Sequence, residues 1–363
     1  MKLDLDESRI IFLPSQLIEI DEGVILRRGI VQVKLTGELA FDLMNVLVTM
    51  ASGDGIAEAD LLAYFGESLH ETIVQILHDL RQKGFLVDAS KAELDTLEAS
   101  DAYRQPLLHW NLGLTPDSLQ RILQKSIVVL GVNTVSRQLV SSLRESGFGN
   151  VTLVDTPLFR NITFFGSTDT LLEPYQTGVF ASVVSYEEWV DNLSLSAPID
   201  SLVVTSDFGG HQLMREFNKF AVDNKIPFMP VVLSNLKGYV GPFVMPGETA
   251  CLECYLGRSN AQQRDYVTSR TVELAAYEGQ IVSGFHPSMA SILGDIAAFE
   301  LFKQFGRIMQ TWNAGTVLEI NLLKTEMKPR KVLKLPRCPV CGTVHKRSPY
   351  TVFNSTYMLT NEE

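Results

Sequence analysis

The sequence is poor in cysteine and in long apolar runs, and each shortage excludes a class of protein. Four cysteines in 363 residues are too few for a disulfide-stapled secreted scaffold. No apolar run approaches the ~18 residues of a membrane-spanning helix. The acidic start, "MKLDLDESRI", has no basic region followed by an apolar core, the pattern of a secretory signal. We therefore expect a cytoplasmic protein that does not engage a membrane.

Basic residues are also in short supply. The chain has 31 Lys and Arg against 42 Asp and Glu, a net charge of −11, whereas nucleic-acid binding needs a basic face. We therefore expect no nucleic-acid partner. Between Arg160 and Arg215 there is no Lys or Arg. Since phosphoryl and nucleotidyl transfer need cations aimed at the developing charge, a phosphate site there would have to take its cations from elsewhere.

The four cysteines form two Cys-x-x-Cys pairs, in "ACLECYLG" and "PRCPVCGT". In a reducing compartment such pairs favour metal binding over disulfides, and four thiolates complete a tetrahedral structural zinc site. The predicted ligands are Cys251, Cys254, Cys338 and Cys341. Gly342 is expected to free the backbone for N–H···S contacts. The alternatives are four buried, unliganded cysteines or a thioredoxin-like redox pair.

Residues 1–90 predict a small unit of three strands, three helices and a final wing strand, which is the pattern of a winged helix-turn-helix. Such a unit binds DNA or accepts an extended peptide along a strand edge. Its third helix, "SLHETIVQILHDLRQKG", mixes acidic and basic residues, which favours the peptide.

The remaining chain predicts a linker over 91–120, an α/β domain over 121–343 and a tail over 344–363. "SIVVLGV" is typical of a parallel strand buried on both faces. A helix follows it, and a second strand, "NVTLVD", ends at Asp155. A later strand, "SLVVTSD", ends at Asp207. We expect a mostly parallel sheet with a late antiparallel section, and a tail that either docks onto a partner enzyme or frays.

The turn after the first strand of this domain is where such folds cradle phosphates with glycines. Here it reads "GVNTVS", so only Gly131 remains, with Asn133 and Ser136 in place of further glycines. A Cβ at those positions crowds the space that a triphosphate would use, although Asn and Ser can still donate hydrogen bonds. A plain strand-to-helix turn without a ligand is the alternative.

These features resemble the ThiF-like adenylating fold, which has a Gly-rich turn, an acidic residue at the end of the second strand, another after a later strand, and two zinc knuckles. Gly131, Asp155, Asp207 and the cysteines match those positions. "MPGETACLECYLGR" and "LEINLLKTEMKPRKVLKLPRCPVCG" resemble the knuckle segments of ThiF-like proteins of azoline-forming, ribosomal-peptide (RiPP, bacteriocin) biosynthesis. The resemblance covers nearly the whole chain. It implies a winged-helix peptide-recognition domain followed by a Rossmann-type α/β domain with a four-cysteine zinc site, often in a homodimer.

In that family the ThiF-like component binds the leader of a precursor peptide and presents its core to a YcaO-type, ATP-using cyclodehydratase. Arg160 and Asn161 match nucleotide contacts of active members, but a further Lys has no counterpart. This departure is similar to degenerate, non-adenylating recognition subunits. The alternative is a stand-alone ATP-dependent enzyme of the adenylyltransferase or ligase type. Its nucleotide and Mg would be held by Gly131, Asn133, Ser136, Asp155 and Asn161, and its catalytic residues would be Asp155, Arg160 and Asp207.

In the recognition hypothesis the leader adds a strand beside "IVQVKL", and its apolar residues enter a groove against the third helix. Because such leaders are often acidic, three basic residues are expected to pair with them, unless they are simply a solvated strand face. Residues of the third helix would be shared between core and groove. The predicted peptide-binding residues are Arg27, Arg28, Ile30, Val31, Gln32, Val33, Lys34, Leu35, Ile73, Ile76 and Leu77.

Overall fold

The computed structural model describes residues 9–89, 116–192, 198–261, 284–308 and 314–342, with a few isolated positions between these ranges. The chain divides into two compact units, Met1–Asp117 and Ser118–Glu363. Most of the predicted linker and the whole predicted tail lie outside the described residues. None of the described helices is long and apolar enough to cross a bilayer.

The described part of unit 1 contains two three-stranded antiparallel sheets, ordered β5-β1-β6 and β2-β3-β4, and three helices. The strands are β1 (Arg9–Phe12), β2 (Gln16–Ile20), β3 (Gly23–Arg28), β4 (Val31–Thr36), β5 (Ile56–Ala57) and β6 (Leu86–Asp88), and the helices are α1 (Ala40–Met50), α2 (Glu58–Ala63) and α3 (His70–Gln82). The predicted strands and helices are present, while the winged-helix assignment stays a prediction.

The core of unit 1 lies between the second sheet and the helices. Val24 and Leu26 on β3 and Ile73 and Leu77 on α3 belong to one buried apolar cluster. Helix α1 packs against β2 and β3, whereas β4 forms one edge of its sheet. The pairing of β3 with β4 is close at Gly23, where a Cβ would meet the Leu35 carbonyl oxygen at 2.1 Å.

The described part of unit 2 is built on one eight-stranded sheet, ordered β14-β13-β12-β11-β10-β7-β8-β9. The strands are β7 (Ser126–Leu130), β8 (Asn150–Asp155), β9 (Val183–Ser185), β10 (Ser201–Ser206), β11 (Phe228–Ser234), β12 (Lys237–Val240), β13 (Thr316–Asn321) and β14 (Glu326–Lys331), and the helices are α4 (Pro116–Leu123), α5 (Thr134–Glu145), α6 (Tyr186–Asn192), α7 (Arg215–Asp223), α8 (Leu252–Ala261) and α9 (Pro287–Gly306).

The sheet changes character along its width. Strands β11, β10, β7, β8 and β9 are parallel, and β12, β13 and β14 continue the sheet antiparallel. The expected mixed α/β architecture, mostly parallel with a late antiparallel section, is therefore confirmed. The chain places β8 and β9 on one side of β7 and β10 on the other, so strand order reverses between β7 and β10. In open α/β sheets ligands bind outside the carboxyl ends of strands at such a point.

Candidate functional site

The turn from β7 into α5 lies at this point of reversal, and its backbone donors are satisfied by side chains of the turn itself. Asn133 is the N-cap of α5 and is fully buried. Its Oδ1 accepts hydrogen bonds from the amides of Val135 and Ser136, at 3.1 and 3.0 Å. The Ser136 hydroxyl in turn accepts from the Asn133 amide at 3.0 Å. This reciprocal capping box occupies three donors that a phosphate would use.

The Asn133 side chain also fixes the neighbouring strands. Its Nδ2 donates to the backbone oxygens of Phe159 and Thr205, at 3.0 and 3.1 Å. Gly131 has a φ of +103°, and a Cβ there would lie 2.8 Å from both Phe159 Cβ and the Thr205 oxygen. The one remaining glycine of the turn is therefore required by packing, which gives it a structural reason to be glycine.

The fourth backbone amide at the start of α5, that of Thr134, donates a hydrogen bond to a carboxylate. The Thr134 amide donates to Asp207 Oδ2 at 3.0 Å, and Asn161 Nδ2 donates to the same oxygen at 2.7 Å. Asp207 is 2% exposed. Burial raises its pKa, against the lowering effect of the hydrogen bonds from Thr134 and Asn161. All four amides from Asn133 to Ser136 thus have acceptors within the protein.

Arg160 is held just outside this turn by two acidic residues. Its guanidinium makes a two-pronged contact with Asp155, at 2.7 and 2.8 Å, and a third contact with Asp169 at 2.8 Å. It also stacks over the Phe165 ring, 4.4 Å from the centroid. The pKa of Arg160 is raised, chiefly by its hydrogen bond to Asp155. A nucleotide would have to displace a carboxylate to use this cation.

The predicted nucleotide residues are therefore brought together, but as a closed network. Sequence reasoning missed the roles of Thr134, Thr205 and Asp169. The spacing of Asn133 and Ser136, at the N-cap and N3 positions, was the available signal for the capping box. No sequence pattern identifies Asp169 as a partner of Arg160. The residues present do not fit a triphosphate bound at the start of α5.

The four cysteines form a second candidate site. Their Sγ atoms all lie within 4.8 Å of one another. The distances are 4.0 Å from Cys251 to Cys254, 3.6 Å from Cys251 to Cys338 and 3.4 Å from Cys254 to Cys341. These distances are too long for disulfides, while zinc–sulfur bonds of about 2.3 Å place tetrahedral sulfurs about 3.8 Å apart. The cluster fits a metal ion with four thiolate ligands.

Contacts among the four cysteines acidify one thiol and not another. The pKa of Cys341 is lowered to about 4 by hydrogen bonds with Cys251 and Cys254, while those to Cys254 and Cys341, together with burial, raise the pKa of Cys251. The Leu335 amide donates to Cys254 Sγ at 3.3 Å. Gly342 differs from expectation, because its amide donates to the Cys338 carbonyl oxygen, at 3.0 Å, rather than to sulfur. A Cβ at Gly342 would lie 2.3 Å from that oxygen, so close packing requires this glycine.

The predicted peptide-binding residues fall into two groups. Val31, Val33 and Leu35 pack against the unit 1 core while staying partly exposed, and Ile76 on α3 does the same. Between them on β4, Gln32 and Lys34 point to the other, exposed face. Ile30, in the turn before β4, is 83% exposed. These residues form a partly open apolar edge.

Three predicted peptide-binding residues lie inside the core. Ile73 and Leu77 are 0% and 1% exposed, so only Ile76 of the three α3 residues reaches the surface. Arg28 corrects the expectation of a surface cation. It is 5% exposed and its guanidinium donates to the Pro14 carbonyl oxygen at 2.5 Å. The alternation of β3 turns Arg27 outward and Arg28 inward.

Comparison with known protein families finds a match within the second unit. The ThiF family model matches residues 175–340. This stretch is a ThiF-family domain. The matched residues begin after the turn at 131–136 and include three of the four clustered cysteines. A search of curated proteins finds no match to the chain.

Solved structures match this chain over most of its length. A crystal structure of E. coli MccB with AMPCPP and MccA is 17% identical, with a TM-score of 0.63, and the match covers 92% of this chain and 99% of MccB. The structure of the heterocyclase TruD is 18% identical in sequence to this chain, with a TM-score of 0.59, and the match covers 92% of this chain. The match covers 43% of TruD, so this chain spans less than half of its length. These similarities establish the fold that the chain shares with both proteins.

Proposed function

We propose that this chain is a recognition subunit of a RiPP-modifying complex, which binds the leader of a precursor peptide and leaves the ATP-dependent chemistry to a partner. The observation that carries the proposal is the closed start of α5. Its four backbone donors are bound by Asn133, Ser136 and Asp207, so a triphosphate finds no free amides there. The lack of Lys and Arg between Arg160 and Arg215 supports the same conclusion.

The leader-binding role rests on the edge of β4. The strand is at one edge of its sheet and can pair with an extended peptide through backbone hydrogen bonds. The partly exposed side chains of Val31, Val33 and Leu35 form an apolar surface, here called the apolar floor, that alternate side chains of that peptide can contact. Exposed Ile30 and Leu39, at 83% and 73%, flank the two ends of the strand. Apolar groups this exposed on both sides of a free edge support peptide docking.

The partner proposed for the chemistry is a YcaO-type cyclodehydratase, and the homodimer implied by the resemblance stays a prediction. The structural neighbour TruD is a heterocyclase more than twice as long as the matched region. This difference in length is compatible with a recognition domain that works together with a separate catalytic domain. The cysteine cluster would hold a structural zinc that joins α8 to the segment after β14.

Two measurements on the purified protein test the proposal. Isothermal titration with the leader encoded beside its gene should show binding at low micromolar concentration, about −8 kcal/mol. ATP turnover, followed as AMP or ADP release with the full precursor present, should stay at background. Absence of leader binding at tens of micromolar, or turnover accompanied by a mass change in the precursor, would refute the recognition role.

A second candidate function is a stand-alone ATP-dependent enzyme that activates and modifies its peptide. It is supported by the structural match, which covers 99% of MccB, a protein whose structure contains AMPCPP and MccA. This hypothesis predicts Mg-ATP affinity that depends on Asp155 and Asp207. It requires the α5 turn to rearrange, since Asp207 would have to release the Thr134 amide.

A further inference from the structure

The charge of unit 1 bears on the chemistry of its peptide. The described residues 9–89 contain twelve acidic and six basic side chains, a net charge of −6. A field of this sign repels an acidic ligand and attracts a basic one. The expectation of an acidic leader therefore depends on whether any of the six basic side chains is available near β4.

Most of these cations are already engaged. Arg9 donates to the Gly55 carbonyl oxygen, and the buried Arg28 donates to that of Pro14. Arg81 pairs with Glu58 at 2.9 Å, and Lys34 pairs with Glu22 at 3.1 Å.

The two other cations are Arg27 and Lys83. Arg27 pairs with Gln32 and lies on the outer face of the sheet, whereas the side chains of Val31 and Val33 lie on the inner face. The Arg27 guanidinium donates to the Gly29 carbonyl oxygen. Lys83 follows the last residue of α3. Apart from the buried Arg28, no cation of β3 or β4 lies on the face that carries the apolar floor.

The flank of α3 that carries Ile76 has charges of both signs. One flank of α3 faces α2, because Arg81 pairs with Glu58 and His70 contacts the Phe65 carbonyl oxygen. Ile76 lies on the other flank of the buried stripe, and at helical spacing its neighbours there are Thr72, Asp79 and Lys83. The Asp79 carboxylate accepts a hydrogen bond from Gln75 at 2.9 Å. With one carboxylate and one ammonium group, this flank offers an acidic peptide residue no net attraction.

We infer that the β4 edge takes an extended peptide with apolar residues at alternate positions and a neutral or positive net charge. The inference rests on the proposed recognition function and gives the chemical class of its ligand. Backbone pairing and apolar contact with Val31, Val33, Leu35 and Ile76 supply the affinity. Acidic leader residues on the inner face do not contribute to it, since β3 and β4 have no exposed cation on that face, and those on the outer face meet only Arg27 and the already paired Lys34.

The test uses the leader encoded beside the gene and three variants of it, titrated calorimetrically into the full chain. In one variant every Glu and Asp becomes Gln and Asn, in the second uncharged polar residues become Glu, and in the third the alternating apolar residues become Ser. The neutralised leader should bind within about threefold of the unaltered one or more tightly. The Glu-enriched leader should bind more weakly, and the Ser variant should lose at least about tenfold.

Changes to the protein give a second measurement. Val33→Ser should weaken leader binding by about tenfold, while the control Val190→Ser, at an exposed apolar position on α6, should leave it unchanged. Tenfold loss on neutralising the leader, with Val33→Ser still binding normally, would overturn the inference and leave leader recognition standing. If the unaltered leader fails to bind, the proposed function fails and the inference falls with it.

Discussion

Asp207 and Thr134 are joined by a hydrogen bond of 3.0 Å, from the first amide of α5 to a carboxylate 73 residues later. The N-terminus of a helix attracts anions through its free amides and its dipole. In this chain the anion is internal. The favourable interaction that a nucleotide phosphate would make is already realised in the folded protein, and an incoming phosphate would have to compete with it.

The buried cap leads to a stability prediction. Asn133→Ala removes the two capping hydrogen bonds accepted by Oδ1. It also removes the hydrogen bonds that Asn133 Nδ2 donates to the backbone oxygens of Phe159 and Thr205. We expect the free energy of unfolding of unit 2 to fall by about 2–3 kcal/mol, measured by urea denaturation. The control Asn224→Ala removes an exposed side chain bonded to the Phe220 carbonyl oxygen, and should cost about 0.5 kcal/mol. Equal losses in the two variants would contradict a special role for Asn133.

Asp207 provides a test that separates structure from catalysis. Its folded-state pKa is raised by burial, so its contribution to stability is fully present below the unfolded pKa and is lost as pH rises through the folded pKa. Asp207→Asn keeps an oxygen for the Thr134 and Asn161 donors and removes the buried charge. We expect the variant to gain stability over the wild type as pH rises from about 4 to about 7.5, measured by urea unfolding at both values.

The opposite outcome is informative. If Asp207→Asn is less stable than the wild type at the higher pH, the carboxylate has a favourable partner and the cap is mainly electrostatic. Loss of Mg-ATP binding in the same variant would support the enzyme hypothesis, because a recognition subunit has no such binding to lose.

His211 is expected to make unit 2 sensitive to mild acid. Its ring packs edge-on against Tyr239, with centroids 4.9 Å apart, and its Nε2 is buried without a hydrogen-bond partner. Desolvation lowers its pKa from 6.5 to about 4. Between these values the unfolded state binds the proton more readily, so stability falls as pH falls. Between about pH 7.5 and pH 5 the loss should be about 2 kcal/mol.

Urea denaturation at the two pH values measures this loss. His211→Gln should be spared this loss relative to the wild type, whereas His78→Gln, at an exposed position on α3, should show it in full. If His211→Gln has the same pH dependence as the wild type, the protonated His211 ring finds compensation in the fold.

The cysteine cluster predicts a metal content. Protein purified without chelator should carry about one equivalent of zinc per chain, and Cys338→Ser should lose it, because the tetrahedral site needs four thiolates. Mass spectrometry of the metal gives the measurement. Lys334→Ala, which removes only an exposed contact with the Gly247 carbonyl oxygen, should keep the metal. Equal metal in the wild type and Cys338→Ser would refute the zinc site.

The sequence predicted the sheet better than the sites. Strand β7 is a continuous apolar run and β10 is buried along its whole length, as expected for parallel strands covered on both faces. The spacing of Asn133 and Ser136 indicates the capping box of the α5 turn, but the contact of Asp207 with the Thr134 amide could not be predicted, because the two residues are 73 positions apart. Local spacing carries no information on such contacts.

Arg28 shows a failure of a different kind. The adjacent pair of Arg27 and Arg28 on one strand means that one of them must face the core side, and the period of two was legible in "GVILRR". Treating both as surface cations ignored that alternation. The structure places Val24 and Leu26 on the same face as Arg28, and both are fully buried.

The cysteine cluster also shapes the unfolded chain. Cys254 and Cys341 are 87 residues apart, and a metal that ties them together closes a long loop through α9, β13 and β14. Holding such a loop shut removes conformational entropy from the denatured state, by about 4 kcal/mol if it acts like a covalent cross-link of that length. The exposed strand β14 lies inside this loop and forms one edge of the sheet, with β13 as its neighbour. The metal-closed loop would therefore oppose separation of β14 from β13.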